Sequence, residues 1–360
     1  KFEFHKQKTT TMIKKNLLLL VFLSQFILSY AQELRLQAKE DGGNWAYYNL
    51  KGENISTAYY KQCYAFEGDY AIVFDESAKK MGFIDRDGKV AFPQDEKFEL
   101  MKAGGFGANV INGFKSGLAP AIYKGQIGYL GTDGTVKIPT KYKLFTPFNS
   151  GYALVGNKAG NYVIDSTGKE KMIITKLVAF NHFQEGLAPV KVKEGTWGFL
   201  NTKGKLVIEA KFDRVGYFVN GLAWARNQND LIGFINKKGE WVIDPQFTKV
   251  LSADPESGMA KVYLESYFWI NTLDQAEGNL KVNDTDLYKS FSEGLCAGRK
   301  GDKIGFFDKN GRWVIQPAYK SVRSFVNGYA SVKEGELWGV IDTKGNWVIK
   351  PKFVSIKDFK

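Results

Sequence analysis

The stretch "GELWGVIDTKGNWVIKP" (335–351) decides how this chain is read, because a close copy, "KGDKIGFFDKNGRWVIQP", lies at 300–317. Both place a large residue before a glycine, two apolar residues and Asp after it, then a turn glycine, Trp-Val-Ile and a proline. Traced backwards by its turn glycine, the motif returns at Gly345, Gly311, Gly239, Gly204, Gly168, Gly134, Gly88 and Gly52. A worn copy between Gly239 and Gly311, within 264–298, has Asp274 in the glycine position. The spacings are 36, 46, 34, 36, 35, 35, 37 and 34 residues. Such a period marks units that bury their apolar faces against one another, and it predicts nine of them.

The turns explain themselves chemically. In "NTKG" (201–204), "NKKG" (236–239), "DKNG" (308–311) and "DTKG" (342–345), Asn or Asp accepts backbone hydrogen bonds and Gly takes a positive φ. That is a type I turn with a G1 bulge between antiparallel strands. "DRDG" (85–88) resembles the start of a calcium loop, but sister copies carry Lys, Thr or Leu where a ligand carboxylate is needed, so no metal is expected.

Short strands flank each turn: "WGFLN" (197–201) or "IGFIN" (232–236) before it, and "EWVIDPQF" (240–247) or "RWVIQPAY" (312–319) after it. β-Branched and aromatic residues dominate both. Pro245, Pro317 and Pro351 are expected to end the trailing strand, where a missing N–H does least harm. A further strand precedes each pair, announced by an aromatic and a glycine, as in "FNSGYALV" (148–155) and "FVNGYASV" (325–332). The unit is therefore a three-stranded antiparallel meander plus a linking segment, and the chain is all-β.

Across the nine copies the residue before the first glycine is Trp45, Met81, Ile127, Asn161, Trp197, Ile232, Tyr267, Ile304 and Trp338. Eight are large and they interchange freely, which a core position tolerates and a catalytic one does not. Trp45, Trp197 and Trp338, the trailing-strand Trp241, Trp313 and Trp347, the paired glycines Gly198, Gly233, Gly305 and Gly339, and the turn glycines Gly204, Gly239, Gly311 and Gly345 are thus read as architecture. Full burial of Trp197 or Trp338 predicts a cost of roughly 3–5 kcal/mol on truncation to Ala.

The segments "WGFLNTKG", "IGFINKKGEWVIDPQF" and "LWGVIDTKGNWVIKPKF" resemble WG-type β-repeats, also called KWG repeats, over roughly residues 34–360. Copies four and seven depart from the pattern, with Tyr162 and Phe268 in place of Gly. The resemblance implies a tandem β array and brings no catalytic residues with it. Units near 35 residues with three strands are short for a propeller blade, so an open, curved, solenoid-like array is expected, with a closed β-propeller as the alternative.

The front of the chain reads differently. Residues 1–11 precede Met12 and are read as translated upstream sequence. From Met12, "MIKKNLLLLVFLSQFILSYAQ" has a basic start, an apolar core and small residues before Gln32, the pattern of a signal peptide at 12–31. A single repeat domain then occupies 32–360, and the expected location is exported: periplasmic, cell-surface or secreted. No long apolar run follows, so no transmembrane segment is expected after residue 31. The full chain carries a net charge of +12; without residues 1–31, which hold five Lys and one Glu, it carries +8. That excess suits an anionic glycan or envelope surface, and nucleic acid is not expected for an exported chain. Cys63 and Cys296 share no metal-like spacing and are read as unpaired buried thiols. One histidine, His182, remains after residue 31, which removes Ser-His-Asp triads and multi-histidine zinc sites; no cofactor is expected.

Two departures from the repeat are candidate binding places. The long interval contains "ELMKAGGFGANVINGFKSG" (99–117), a pliable loop that offers Phe106 and Phe114 at its surface. The worn unit sets Tyr267, Phe268 and Trp269 beside Asp274, Glu277, Asp284 and Asp286, a composition suited to stacking and hydrogen-bonding sugars. The expected function is a non-catalytic exported scaffold that binds protein or glycan. The alternative is a glycan hydrolase using carboxylates of the worn unit.

Overall fold

The computed structural model describes residues 34–40, 43–56, 58–66, 69–75, 79–94, 97–100, 102–103, 110–111, 113–193, 195–253, 258–263, 267–271 and 286–357. The proposed signal peptide lies outside them. Every regular element described is a β-strand. No helix among the described residues is long and apolar enough to cross a membrane.

The fifth unit shows how sequence becomes blade. Leu177–Phe180, Leu187–Val192, Trp197–Asn201 and Leu206–Phe212 form one antiparallel sheet in chain order. The last three strands are the predicted meander. The first comes from the linking segment, which in several other units supplies strands of only two residues, such as Arg214–Val215 and Ser321–Val322, and longer ones at Lys249–Ala253 and Asp286–Ser292. Two residues carry no readable periodicity, so the fourth strand was invisible to the sequence. With it, the unit has a blade's usual complement. Among the described residues nine sheets follow one another, seven with four strands and two with three: that of the worn unit (Lys249–Ala253, Met259–Tyr263, Tyr267–Asn271) and that of the first unit (Ala46–Tyr48, Leu36–Lys39 and, from the far end of the chain, Ser355–Ile356).

Between the third and fourth strands, Trp197 faces Phe212 while Phe199 faces Ile208. Two residues of one strand therefore oppose four of the other, a wide bulge repeated at Ile232–Phe234 and Trp338–Val340. The bulged backbone folds over the glycine between them. A Cβ on Gly339 would stand 2.6 Å from the Ile349 carbonyl oxygen, and one on Gly198 would collide with the Ile208 carbonyl. The Trp-Gly glycine is required by this crossing backbone. Pro245, Pro317 and Pro351 lie inside the fourth strands, in the bulge, and do not end them as expected. The ladder is interrupted there, so the absent N–H costs no bond.

The position before the glycine is buried where it holds isoleucine, at Ile127, Ile232 and Ile304, and only partly where it holds tryptophan. Trp45, Trp197 and Trp338 are half-buried. The residues after the glycine are sealed: Phe199, Leu200, Ile235, Phe307, Val340 and Ile341 are all 0% exposed. The indoles instead carry cations on their faces. Arg323 stands 5.2 Å from the Trp338 ring, and Lys39 and Lys357 stand 4.9 and 4.4 Å from that of Trp45.

Neighbouring blades are joined by one recurrent clasp. At five junctions the aromatic that opens the segment before the second strand packs edge-to-face on the residue after the Trp-Gly glycine, or its equivalent, in the blade before. The pairs are Tyr47–Phe66, Phe83–Phe114, Tyr129–Phe148, Phe199–Phe218 and Phe306–Phe325, with ring centroids 4.7 to 5.2 Å apart. Such pairs add about 0.5–1.5 kcal/mol each beyond the area they bury. The turn glycines reinforce the joint: Gly168 and Gly345 sit on Ile138 and Ile315 of the preceding unit.

The array closes. Ser355–Ile356, at the end of the ninth unit, pairs antiparallel with Leu36–Lys39 of the first, Ala38 facing Ile356. Val354 and Lys357 donate backbone hydrogen bonds to Lys39 and Gln37, both at 2.9 Å. Tyr48 packs on Phe353 at 4.9 Å, Gly52 on Ile349, and Lys352 pairs with Glu40 at 2.6 Å. The all-β tandem arrangement is as read from the sequence. Of the two arrangements considered, strand pairing between first and ninth units is that of the closed propeller, in place of the open array favoured from unit length.

Two outcomes follow from this packing. Phe199→Ala should cost about 3–5 kcal/mol, and Trp197→Ala about 1–3 kcal/mol because half of its surface stays wet. Urea midpoints at constant slope measure both, and equal costs would contradict the difference in burial between the two positions. Deleting residues 355–360 should strip exchange protection from the amides of Leu36–Lys39 and lower the unfolding midpoint. Unchanged protection would mean that the closing pair contributes nothing.

Candidate binding face

Antiparallel order places two sets of turns at one end of the blades. Leu187, which begins the second strand, faces Asn201, which ends the third. The Phe-x-x-Gly turns and the Asx-type turns therefore share a face, while the hairpins between second and third strands lie opposite.

The Asx-type turns are built as predicted. Asn201 Oδ1 accepts from the Lys203 and Lys205 amides at 2.9 and 3.1 Å, and the Gly204 amide donates to the Asn201 carbonyl at 2.9 Å. Gly204 has φ +74°. Asp85, Asn236, Asp308 and Asp342 repeat the pattern. These side chains face inward onto backbone amides. The residues between them and the glycine project outward, leaving Lys51, Lys203, Lys238, Lys309 and Lys344 exposed around the face.

The second set was missed by the sequence reading. In "FNSG", Asn149 and Tyr152 exchange backbone hydrogen bonds of 2.9 and 3.1 Å, with Ser150 at φ 52° and Gly151 at 81°. Two successive positive φ values make a two-residue type I′ turn. Ser116, Glu185, Asn220, Glu293 and Asn327 hold the same conformation, each followed by Gly. Non-glycine residues persist in this region only when their surroundings hold them. At Asn220 and Asn327 the holding group is a carboxylate from the blade before. Glu185 accepts from the Asn220 and Gly221 amides at 2.6 and 3.0 Å and pairs with Lys237 at 3.0 Å. Glu293 accepts from the Asn327 amide and, at 2.7 Å, from that of Gly328. Partial burial works against ionisation of Glu185, but Lys237 and the two amides outweigh it and hold the carboxyl below the usual range. The available signal was the polar residue before each Phe-x-x-Gly glycine.

Between the third and fourth units this arrangement changes. Ser116 stands where Glu185 stands in the fifth, and Ser166 where Lys237 stands in the sixth. Ser116 Oγ lies 3.4 Å from the Gly151 amide, a long contact. A groove of about 440 Å³ opens there, lined by Ser116, Thr132, Asp133, Lys137, Ser166 and Thr167 among others.

The residues singled out from the sequence fare differently. Phe106, Asp274, Glu277 and Asp284 lie outside the described residues. Phe114, expected at a loop surface, is 2% exposed; it is the clasp residue packed on Phe83. Its Phe-x-x-Gly position in the repeat explains the burial. Tyr267 and Trp269 lie in strand Tyr267–Asn271, facing Tyr263 and Lys261, and Asp286 opens strand Asp286–Ser292. Cys63 and Cys296 are free and buried, and desolvation pushes their thiols up to about 11 and 12. His182 stacks on Tyr217, whose hydroxyl lies 2.9 Å from Nδ1. Among the described residues no group of three or more His, Cys, Asp or Glu is placed to share a metal ion.

Because the folded Glu185 carboxyl titrates below its ordinary value of 4.5, its stabilisation is present above that value and is lost as pH falls through the folded one. Glu185→Gln should therefore lower the unfolding midpoint at pH 7, and the difference from the unaltered protein should shrink below about pH 4. Thermal unfolding across pH measures it; a difference independent of pH would assign the effect to packing.

No curated protein matches the sequence. Among solved structures, a eukaryotic initiation factor is similar over 91% of this chain and 98% of its own, at 10% identity and a TM-score of 0.57, a likeness of fold. BamB from Moraxella catarrhalis aligns over 69% of this chain and 87% of its own, at 11% identity and TM-score 0.34. PorZ from Porphyromonas gingivalis aligns over 91% and 52%, at 11% and 0.31. The family described as WG containing repeat matches residues 45–76, 127–162, 197–231, 232–267, 304–338 and 338–360, together more than half of the sequence. With its Trp-Gly pairs, Asx turns and bulged fourth strands in the matching places, the chain belongs to the WG repeat family.

Proposed function

We propose that the protein is an exported, non-catalytic scaffold that holds an anionic glycan against the turn-bearing face of its blades. The observation that carries this reading is the exposed lysine beside the turn glycine, repeated as Lys51, Lys203, Lys238 and Lys344 and shifted one position at Lys309. Antiparallel order brings these side chains to one end, whereas the turn carboxylates beside them are engaged with backbone amides. A face of regularly spaced cations matches a polymer of regularly spaced anions, and attraction of this kind weakens with salt. The signal-peptide pattern at 12–31 supports export, and export supports an envelope or extracellular glycan over nucleic acid.

The measurement is retention on immobilised polyuronate. The protein should bind at low salt and elute as salt rises. Reversing Lys203, Lys238 and Lys344 to Glu should weaken binding about tenfold or more, each lost contact being worth some tenths of a kcal/mol up to about one. Reversing Lys124, Lys158 and Lys303, which lie at the other end of the blades, should change it far less. Equal losses from both triads, or equal retention on duplex DNA, would reduce the interaction to net charge. Turnover of the glycan, abolished by Asp284→Ala or Asp286→Ala, would replace the scaffold by a hydrolase.

A further inference from the structure

In six units the residue before the Trp-Gly glycine, or its equivalent, faces a buried aromatic near the end of the same unit. The pairs are Trp45–Tyr60, Ile127–Tyr142, Trp197–Phe212, Ile232–Phe247, Ile304–Tyr319 and Trp338–Phe353, and the second member of each is at most 7% exposed. Trp45 and Tyr60 exchange two backbone hydrogen bonds, both 2.8 Å. The fourth unit closes the same place differently: the Ile173 amide donates to the Asn161 carbonyl at 2.9 Å, and the Ile173 side chain is buried. In the worn unit the residues that would face Tyr267 lie outside the described ones. The second unit leaves the contact out. Its fourth strand is Val90–Ala91 alone, facing Ile84 and Phe83. The chain then departs for the next unit's turn, where Gln94 donates from its amide to the Gly134 carbonyl and from Nε2 to that of Asp133, both at 3.1 Å. It rejoins the pattern at Glu99–Leu100, where Leu100 faces Ala121 as Val215 faces Ala225. Three residues before Val215 stands Phe212; three before Leu100 stands Lys97, exposed. The sealing aromatic is therefore absent, and Met81 has no fourth-strand partner among the described residues.

A groove of about 310 Å³ opens at that place, and Met81 itself lines it, together with Phe74, Pro93, Phe98 and Leu100. We propose that the groove is a docking site for an extended segment of a partner protein, which lays an aromatic side chain against Met81 and pairs its backbone with the outer edge of the third strand. The sister units show what this edge accepts, a Tyr or Phe on an extended chain. Register gives Met81 the same orientation as its counterparts. Phe74 faces Met81 as Ile122 faces Ile127, and the neighbouring pairs Val73–Gly82 and Ala121–Gly128 also correspond. Alternate residues of an antiparallel ladder send their backbone groups to opposite sides, so the Met81 amide and carbonyl point outward as those of Ile127 do. The thioether and the rings of Phe74 and Phe98 suit an incoming ring. Lys79 and Lys80 stand against Glu99 in the lining, and Lys97 precedes Phe98 in the chain. That cationic excess suits acidic residues on either side of the aromatic. Strand addition of this kind takes its affinity from main-chain bonds and its selectivity from the pocket. The groove lies at the hairpin end of the third strand, away from the turn-bearing face, so the inference is independent of the glycan reading.

The probe is the peptide Glu-Val-Phe-Val-Glu, amidated at its carboxyl end and carrying fluorescein at its amino end, titrated with the full chain in about 0.3 M NaCl, where distant charges are screened. Anisotropy should report saturable binding of one equivalent. Replacing the peptide's Phe by Ala, or methylating its nitrogen, should weaken binding at least about tenfold, because the first removes the anchoring ring and the second a backbone donor. In the protein, Lys97→Phe restores the sisters' aromatic and Met81→Trp supplies their indole. Loss of at least about tenfold in affinity in either variant, with an unfolding midpoint no lower than that of the unaltered protein, supports the site. Bound peptide should also slow hydrogen exchange at the Met81 amide and leave the turn at 201–204 unchanged. Absence of saturable binding, equal affinity for the Ala peptide, or equal binding by both variants overturns the proposal. So does displacement of the peptide by tetragalacturonate, which would make the groove a glycan site. Binding that arises only after Phe106→Ala would assign the groove to this chain's own loop and remove the partner. Reversing Lys203, Lys238 and Lys344 to Glu should leave peptide affinity within about twofold, so this site and the glycan face can fail separately.

Discussion

A four-stranded antiparallel sheet with two apolar faces can bury both only between two neighbours, and everything in this protein follows from satisfying that need without leaving an end. In a row of such sheets the first and last each keep one face wet, and terminal units must be altered to tolerate it. Here the altered ends meet. Ser355 and Ile356 complete the sheet begun by Leu36–Lys39, so the first blade is assembled from both ends of the repeat domain. The residues concerned are separated by more than three hundred positions, and loop closure over that length is a slow entropic cost rather than a prohibitive one. The ring contact Tyr48–Phe353 joins first and ninth units, and the seat of Gly52 on Ile349 repeats at that junction what Gly168 and Gly345 do with their neighbours.

Much of this was legible because the repeat states its local chemistry nine times. Asn201, Asp308 and Asp342 announce their turns, and the free exchange of Trp, Ile and Met before the first glycine announces a packing position, which Ile127, Ile232 and Ile304 fill as buried residues. What escaped the sequence shares a physical cause. A two-residue strand such as Ser321–Val322 has no period to detect. Ring closure depends on a pairing across nearly the whole chain. The half-exposure of Trp197 has no counterpart at Ile232 or Ile304, which the same bulge leaves buried, so it belongs to the larger ring and not to the repeat position.

The turn face was harder to read for a different reason. Glu185, Ser116 and Asn220 look like ordinary polar loop residues, and nothing local says that they take a left-handed conformation. The glycine that follows each is one half of a type I′ signal, but the usual Asn-Gly or Asp-Gly pair appears in only some copies. The carboxylates of Glu185 and Glu293, each from the blade before, brace the Asn-Gly turns at Asn220 and Asn327, a contact that no local pattern announces. Phe114 was misread in the same way: in isolation it is an aromatic in a glycine-rich loop, whereas in the ring it is the residue that clasps Phe83.

A repeated architecture separates two demands that a single site must usually meet together. The clasp, the bulge and the Asx turn are satisfied in nearly every unit, so a departure in one blade costs little of the ring's stability. Carboxylate and ammonium at positions 185 and 237 satisfy their neighbours' amides within the protein. Hydroxyls stand at positions 116 and 166, where the Gly151 amide keeps only a 3.4 Å contact to Ser116 Oγ and a groove opens beside Ser116 and Ser166. Function in such a ring is therefore to be sought where a unit omits a contact that its sisters make, because the sisters already state the chemistry of what is missing.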